Sequence, residues 1–353
     1  MTMRLFSLSA MFFMACVAHS SVVSRQADAV VYGNTSAGVI ASYTLAKEGK
    51  SVLVVEPGNR AGGMSSGGLG LTDIGNKYVV EGLARDFYRR VGKHYGRFEQ
   101  WVFEPSVAES IFNAYQREAD VEVIYGYYAA DADKNISGAM DKLWAVSMSD
   151  PADTLCVKAK MFIDCSYEGD LLPLAGVEYT VGREGNDRYG ETYNGVQAPV
   201  YHQFPDGVDP YRVKGDPSSG LLWGISDRRV EPAGSGDRKV QAYNYRIALT
   251  DSAENRVEIT RPEGYDSTRY ELMLRINEVK PWKTLNDMFI WSLMPGRKTD
   301  VNNRGAFSTD MIGANFDYPE ASWPERKRII AEHESYTKGL LYFLGHDRRV
   351  PAH

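Results

Sequence analysis

At 353 residues the chain is too long for one small core, and a composition of 43% apolar and 24% charged residues is that of a soluble globular protein with room for two domains. Its net charge of −6, with both signs mixed throughout, leaves no basic footprint and argues against a nucleic-acid partner.

Arg4 precedes an apolar stretch from Leu5 to Val17, and Ala18-His19-Ser20 offers a small-residue cleavage site. The stretch suits a signal-peptide core and falls short of the ~20 residues needed to span a bilayer. Residues 1–22 therefore read as a secretory signal, with a periplasmic or secreted location and no transmembrane span. Cys16, at the end of the apolar core, offers lipoprotein anchoring as the alternative.

Ala27 to Tyr32 reads as a short buried strand that ends in Gly33-Asn34-Thr35-Ser36-Ala37-Gly38. An apolar helical run follows, then a second strand, Ser51 to Val55, closed by Glu56. This is the layout of a Rossmann nucleotide-binding unit. Gly33 allows the tight turn, Gly38 lets helix and strand approach, and the helix N-terminus offers N–H groups to a pyrophosphate. Glu56 stands about 20 residues on, where a carboxylate can accept from ribose hydroxyls. Thr35 replaces the middle glycine of the usual spacing. Gly58, Gly62, Gly63, Gly67, Gly68 and Gly70 then form a glycine-dense stretch, suited to backbone lying close to a ligand.

Two amphipathic helices come next, with stripes Leu83, Ala84, Phe87, Tyr88, Val91 and Val107, Ala108, Ile111, Phe112, Tyr115. Ser106 and Glu109 predict a capping box for the second. A run of strands starts at Val121 to Tyr125. Leu143 to Met148 and Thr154 to Lys160 suggest an inserted β-meander, and Met161 to Asp164 a return to the nucleotide-binding sheet at Cys165-Ser166. Cys156 and Cys165 fall on one extended segment, roughly 30 Å apart, which argues against a disulfide. Two cysteines cannot hold an iron–sulfur cluster, and the scattered histidines have no metal-ligand spacing, so no metal is expected.

From about Glu178 the periodicity weakens, and a second domain of short strands and long loops is expected. It ends in a helix capped by Ser322 and Glu325, with Ile329, Ile330, Tyr336, Leu340 and Leu341 inward and Gly345 as the stop. The fold class is thus α/β: a Rossmann-type domain over 27–175 with an inserted meander, and a mixed α+β substrate or cap domain over 176–353.

Asp28 to Gly38, Glu56-Pro57, Gly62 to Asp73, Phe162 to Leu171, Gln241 to Arg246 and Lys298 to Asn303 together resemble bacterial FAD-dependent oxidoreductases with the glutathione-reductase type of flavin domain. Relatives include xanthan-lyase-associated proteins and proteins similar to the flavin component of heterodisulfide reductase. The resemblance implies FAD as cofactor. Gly33, Asn34, Thr35, Ser36, Ala37 and Gly38 would hold its pyrophosphate, and Glu56 its adenosine ribose. Arg60, Gly62, Gly63 and Met64 would line the path to the flavin ring. The Val123 backbone would meet the adenine, and Cys165 and Ser166 would flank the adenosine end. Asn34 holds a place often given to glycine, and it tolerates positive φ better than most residues. Relatives continue beyond His353 with a segment that contacts the flavin, so the cap domain reads as C-terminally incomplete.

The resemblance implies hydride transfer from a small organic or carbohydrate substrate to flavin, with His202, Tyr243 and Arg246 as candidate base or anion clamp. Homo-oligomerisation stays open. Two other readings stand beside it. A truncated chain would serve as a non-catalytic FAD- or partner-binding domain. Gly63-Met64-Ser65-Ser66-Gly67 also fits the nucleophile elbow of a serine hydrolase, which needs Ser65 on a sharp turn between strand and helix.

Overall fold

The computed structural model describes residues 21–197 and 202–351. The expected leader lies outside them, except for Ser21 and Val22, which open the first strand.

Strand β1 (Ser21–Tyr32) leads into helix α1 (Ser36–Lys47) and strand β2 (Val52–Glu56). Helices α2 (Gly82–His94) and α3 (Pro105–Glu118) follow, then β3 (Glu122–Tyr125), β4 (Tyr127–Lys134), β5 (Met140–Ser147) and β6 (Asp153–Asp164). These strands make one six-stranded sheet in the order β3-β2-β1-β6-β5-β4. Its β3-β2-β1-β6 part is parallel, and β5 and β4 are added antiparallel. Val30, Val31 and Tyr32 have no exposure at all, as expected of a central parallel strand covered on both faces. Val30, Tyr32, Leu53 and Val55 join the meander residues Leu143, Leu155 and Val157 in one core cluster. Val39 of α1 packs with Phe87, Val91, Ile111, Phe112 and Tyr115 of α2 and α3 in another.

Three sequence expectations change here. The strand before Gly33 is twice the expected length, because β6 pairs with it in register from Ser21↔Asp153 to Tyr32↔Asp164. The expected separate segments Thr154 to Lys160 and Met161 to Asp164 are one continuous strand, so the meander is part of the nucleotide-binding sheet. Helix α3 starts before Ser106. Pro105 fixes φ at the first helical position and Glu104 is the cap residue, which leaves Glu109 free to bond Arg60.

Helices α4 (Leu171–Ala175) and α5 (Asn186–Tyr189) are short, and β7 (Tyr211–Val213) and β8 (Asp216–Leu221) form a hairpin. Strand β9 (Ala248–Thr250), helix α6 (Glu271–Val279), β10 (Phe289–Met294), β11 (Lys298–Asn303) and helix α7 (Trp323–His346) complete the chain. The three strands form an antiparallel sheet in the order β10-β11-β9. Met273, Phe289, Val301, Met311, Tyr336, Leu340 and Phe343 share its core. In α7, Ile329, Tyr336 and Leu340 are buried as expected, whereas Ile330 is exposed and the helix passes Gly345 to His346. Ser322 is the cap residue without a side-chain cap bond.

Helix α7 is tied to the nucleotide-binding sheet by a buried ion pair. Arg326 donates from Nη1 and Nη2 to Asp170 at 3.0 and 2.8 Å, and from Nε to the Tyr318 carbonyl at 3.0 Å. The Tyr32 hydroxyl, at the end of β1, donates to the same carboxylate at 3.2 Å. Among the described residues no helix is long and apolar enough to cross a membrane.

Candidate cofactor site

The turn after β1 closes over the end of β6. Gly33 has φ +92°, and a Cβ there would lie 2.8 Å from the Cys165 carbonyl carbon and the Ser166 nitrogen. A Cβ on Gly38 would lie 1.9 Å from the Gly33 carbonyl oxygen, so α1 meets the turn at a distance that no other residue permits. Thr35 caps α1. Its Oγ1 accepts from the Gly38 N–H at 3.3 Å and donates to the Cys165 carbonyl at 2.9 Å. The Val39 N–H goes to the Thr35 carbonyl, so Ser36 and Ala37 are left as helix N-terminal donors without an intrahelical partner. At the place of the middle glycine, this hydroxyl thus caps the helix and pins it to the end of β6.

Asn34 is not in the left-handed region that its place in the motif suggested. It is instead a buried amide. Its Oδ1 accepts from Gln116 Nε2 at 2.7 Å, and its Nδ2 donates to the Tyr125 hydroxyl at 3.0 Å. Glu56 accepts from the Asn34 N–H at 2.5 Å and the Gly58 N–H at 2.6 Å. Burial pushes its carboxyl above the ordinary value, and these two N–H donors pull it back. A carboxylate has about four lone-pair sites, so two stay open to vicinal hydroxyls.

The glycine loop starts against this cradle. The Gly62 N–H donates to the Asn34 carbonyl at 2.8 Å, and Thr35 and Gly62 form an isolated bridge. The Tyr167 hydroxyl accepts from the Met64 N–H at 2.7 Å and covers Gly63. Met64 itself is exposed. After β6, Asp164 accepts from the Ser166 N–H and hydroxyl at 2.9 and 2.7 Å, and Ser166 Oγ accepts from Gly169 and Asp170. Burial, then the Asp164 charge, push the Cys165 thiol up, so it stays protonated and packs against Gly38.

Gly33 to Gly38, Glu56, Gly62, Gly63, Met64, Cys165 and Ser166 are thus brought together. Arg60 lies at the rim with its guanidinium 3.2 Å from Glu109, and Val123 is on β3, paired with Val54. Gln116, Tyr125 and Tyr167 were missed; only their distant partners give them meaning. Ser65 ends a 3-10 turn entered through left-handed Gly62, with no strand before it, so the nucleophile-elbow geometry is not formed.

The far end of the glycine loop meets the second half of the chain. A Cβ on Gly68 would lie 2.9 Å from Arg246 Cβ, and one on Gly70 would strike Met294. Arg246, expected as an anion clamp, is engaged by Asp300: Nε donates at 2.9 Å and Nη2 bonds the second oxygen, with Asp300 1% exposed. Beside it, Asp310 accepts from Asn244 Nδ2 at 2.9 Å and from Asn303 Nδ2. Burial pushes the Asp310 carboxyl up against the pull of Asn244, Arg246 and His202. His202 has φ +59° and its Nδ1 lies 3.2 Å from the Gly305 carbonyl oxygen. The Tyr243 ring stands edge-on to Tyr318 at 5.5 Å. Asp310 was not singled out from the sequence, because its partners lie far along the chain.

The chain is similar to several solved structures. THI4 of Thermovibrio ammonificans is 20% identical over 45% of this chain and 66% of that one, with a TM-score of 0.34. A geranylgeranyl bacteriochlorophyll reductase-like protein of Thermoplasma acidophilum is 20% identical over 44% and 43%, at 0.33. L-proline dehydrogenase of P. horikoshii is 12% identical over 46% and 59%, at 0.35. The chain thus spans less than two thirds of each. No curated protein matches it. The family model described as FAD dependent oxidoreductase matches residues 28–350. The chain belongs to the FAD-dependent oxidoreductase family, and FAD is its cofactor.

Proposed function

We propose that the protein oxidises a small organic or carbohydrate substrate outside the cytoplasm, at the junction of the glycine loop with Arg246 and Asp310. The observation that carries this reading is the continuity of that loop, from the Asn34 carbonyl at Gly62 to Arg246 at Gly68. Bound FAD supplies the two-electron acceptor. Ser36 and Ala37 would donate to its pyrophosphate, Gly33 and Gly38 let the turn that presents them close against Cys165 and the start of α1, and Glu56 would accept from its ribose. Arg60, Met64, Val123, Cys165 and Ser166 complete the binding path that the family resemblance assigns.

At the substrate end, Asp310 takes the proton. The substrate carbon loses a hydride, its O–H bond breaks, a carbonyl forms, and the proton goes to the Asp310 carboxylate. Asn244 and Asn303 fix the direction of that carboxylate, and burial raises its basicity above that of an ordinary carboxylate. The Arg246–Asp300 pair acts as a rigid wall. Export through residues 1–22 is part of the same proposal, and sequencing the N-terminus of the exported protein tests it.

The purified protein is expected to keep a flavin absorption band through desalting after addition of FAD. The band is expected to bleach anaerobically with a donor from a panel of sugars and hydroxy acids. Asp310→Asn is expected to slow that bleaching by about 10²–10⁴-fold while the band is retained. Bleaching at the wild-type rate in Asp310→Asn would remove Asp310 from the reaction.

A further inference from the structure

A cleft of about 550 Å³ lies apart from the nucleotide cradle, between residues 179–188 and 236–238, with Glu320 at its edge. That volume is within the ~300–1,000 Å³ range of small-molecule sites. Its floor is firm: Arg183 and Asp237 exchange both backbone hydrogen bonds at 2.8 and 2.9 Å, and the Arg183 guanidinium also grips the Asp237 carboxylate. At the rim, Arg238 bonds Glu320, Arg188 faces Glu184 at 3.7 Å, and the Tyr179 hydroxyl donates to Glu320 at 3.2 Å.

This lining selects a ligand chemistry. Three arginines are matched by three carboxylates, so a net charge on the ligand gains nothing. No apolar floor favours a hydrophobic ligand. Donors and acceptors both line the wall, as paired arginines and carboxylates, and an exposed tyrosine ring stands beside them. A neutral ligand that both donates and accepts at adjacent positions fits this pattern, and vicinal hydroxyls do so.

The placement of the cleft adds a length requirement. Three cross-links tie residues 238–244 antiparallel to residues 310–320: the bridge of Asn244 with Asp310, Asn315 Nδ2 to the Gln241 carbonyl at 2.8 Å, and Arg238 to Glu320. The Tyr243–Tyr318 pair lies along the same seam. Asp310 is at one end and the cleft at the other, up to about 20 Å away for six extended residues. We infer that the cleft is a distal holding site for a neutral oligosaccharide, lying along the 238–244 seam from Asp310. Its role toward a substrate rests on the oxidoreductase reading; its ability to bind does not.

The test is calorimetric titration of the FAD-loaded protein with glucose, with malto-, cello-, xylo- and mannotetraose, and with tetragalacturonate, recording the flavin band in parallel. At least one neutral tetraose is expected to bind more tightly than glucose and tetragalacturonate. Arg188→Gln with Arg238→Gln, both at exposed positions that leave folding intact, is expected to weaken it about tenfold. The inference is overturned if no neutral tetraose binds, if the uronate binds best, or if the double variant binds as the wild type does. Tetraose binding without bleaching supports the cleft and counts against that ligand as hydride donor.

Discussion

The two halves of the molecule are held by different forces. Through β6, order comes chiefly from apolar strands and helices in register, with the buried polar groups nearest the cradle gathered at the turns around Gly33, Glu56 and Ser166. Beyond it, regular elements other than α7 are short, and buried polar bonds do much of the positioning: Arg246 with Asp300, Asn244 and Asn303 with Asp310, and Arg326 with Asp170. Hydrophobic burial tolerates rearrangement, whereas a buried charge pair fixes one geometry and is intolerant of losing one partner. The first half therefore suits a cradle for a constant cofactor, and the second suits a wall whose polar groups set what meets it.

The sharpest way to break the first half is at its turn. Gly33→Val forces a Cβ into the end of β6 at positive φ, and a loss of about 4 kcal/mol or more is expected in denaturant unfolding. The joint between the halves comes next. Asp170→Ala strands the buried Arg326 cation and is expected to cost about 3–5 kcal/mol, while Asp170→Leu with Arg326→Met recovers most of that loss. If the double replacement is as unstable as the single one, the pair is contributing more than charge compensation.

The contrast also explains what could be read from the sequence. The β1-turn-α1-β2-Glu56 unit was legible because apolar runs and glycines act locally. The fusion of two expected strands into β6 was not, since it depends on pairing with β1 over its full length. Arg246 looked like a free clamp because Asp300 is 54 residues away, and Asp310 went unread because Asn244 precedes it by 66. Helix α6 escaped notice for a related reason: its nine residues gain their order from the core of β10, β11 and α7. Polar partnership is a tertiary property, so the half built on it is the half the sequence conceals.

Asn34 carries one element of the second style into the first half. Gln116→Leu leaves its buried Oδ1 without a donor, and a loss of about 1–3 kcal/mol is expected, again by denaturant unfolding. A loss near zero would mean that the pair only fills space.

Glu56 gives the smallest effect and the finest distinction. Burial raises its folded-state pKa, so the folded chain holds this proton to higher pH than the unfolded chain does. The sign follows from linkage: between the unfolded and folded pKa values the folded state binds more protons, and stability falls as pH rises through that window. This contribution is present below the unfolded value, about 4.3, and is lost above the folded one. Glu56→Gln removes the titration, so the thermal midpoint of the FAD-free variant is expected to fall less than that of the wild type as pH rises through this window. A neutral amide also donates where the Asn34 and Gly58 N–H groups need an acceptor, so FAD retention is expected to weaken in the variant at every pH. An unchanged pH slope with weakened retention would locate the role of Glu56 in the cofactor alone; a flattened slope shows that ionising this buried carboxylate costs folding stability before any cofactor arrives, despite the two turn N–H groups it accepts from.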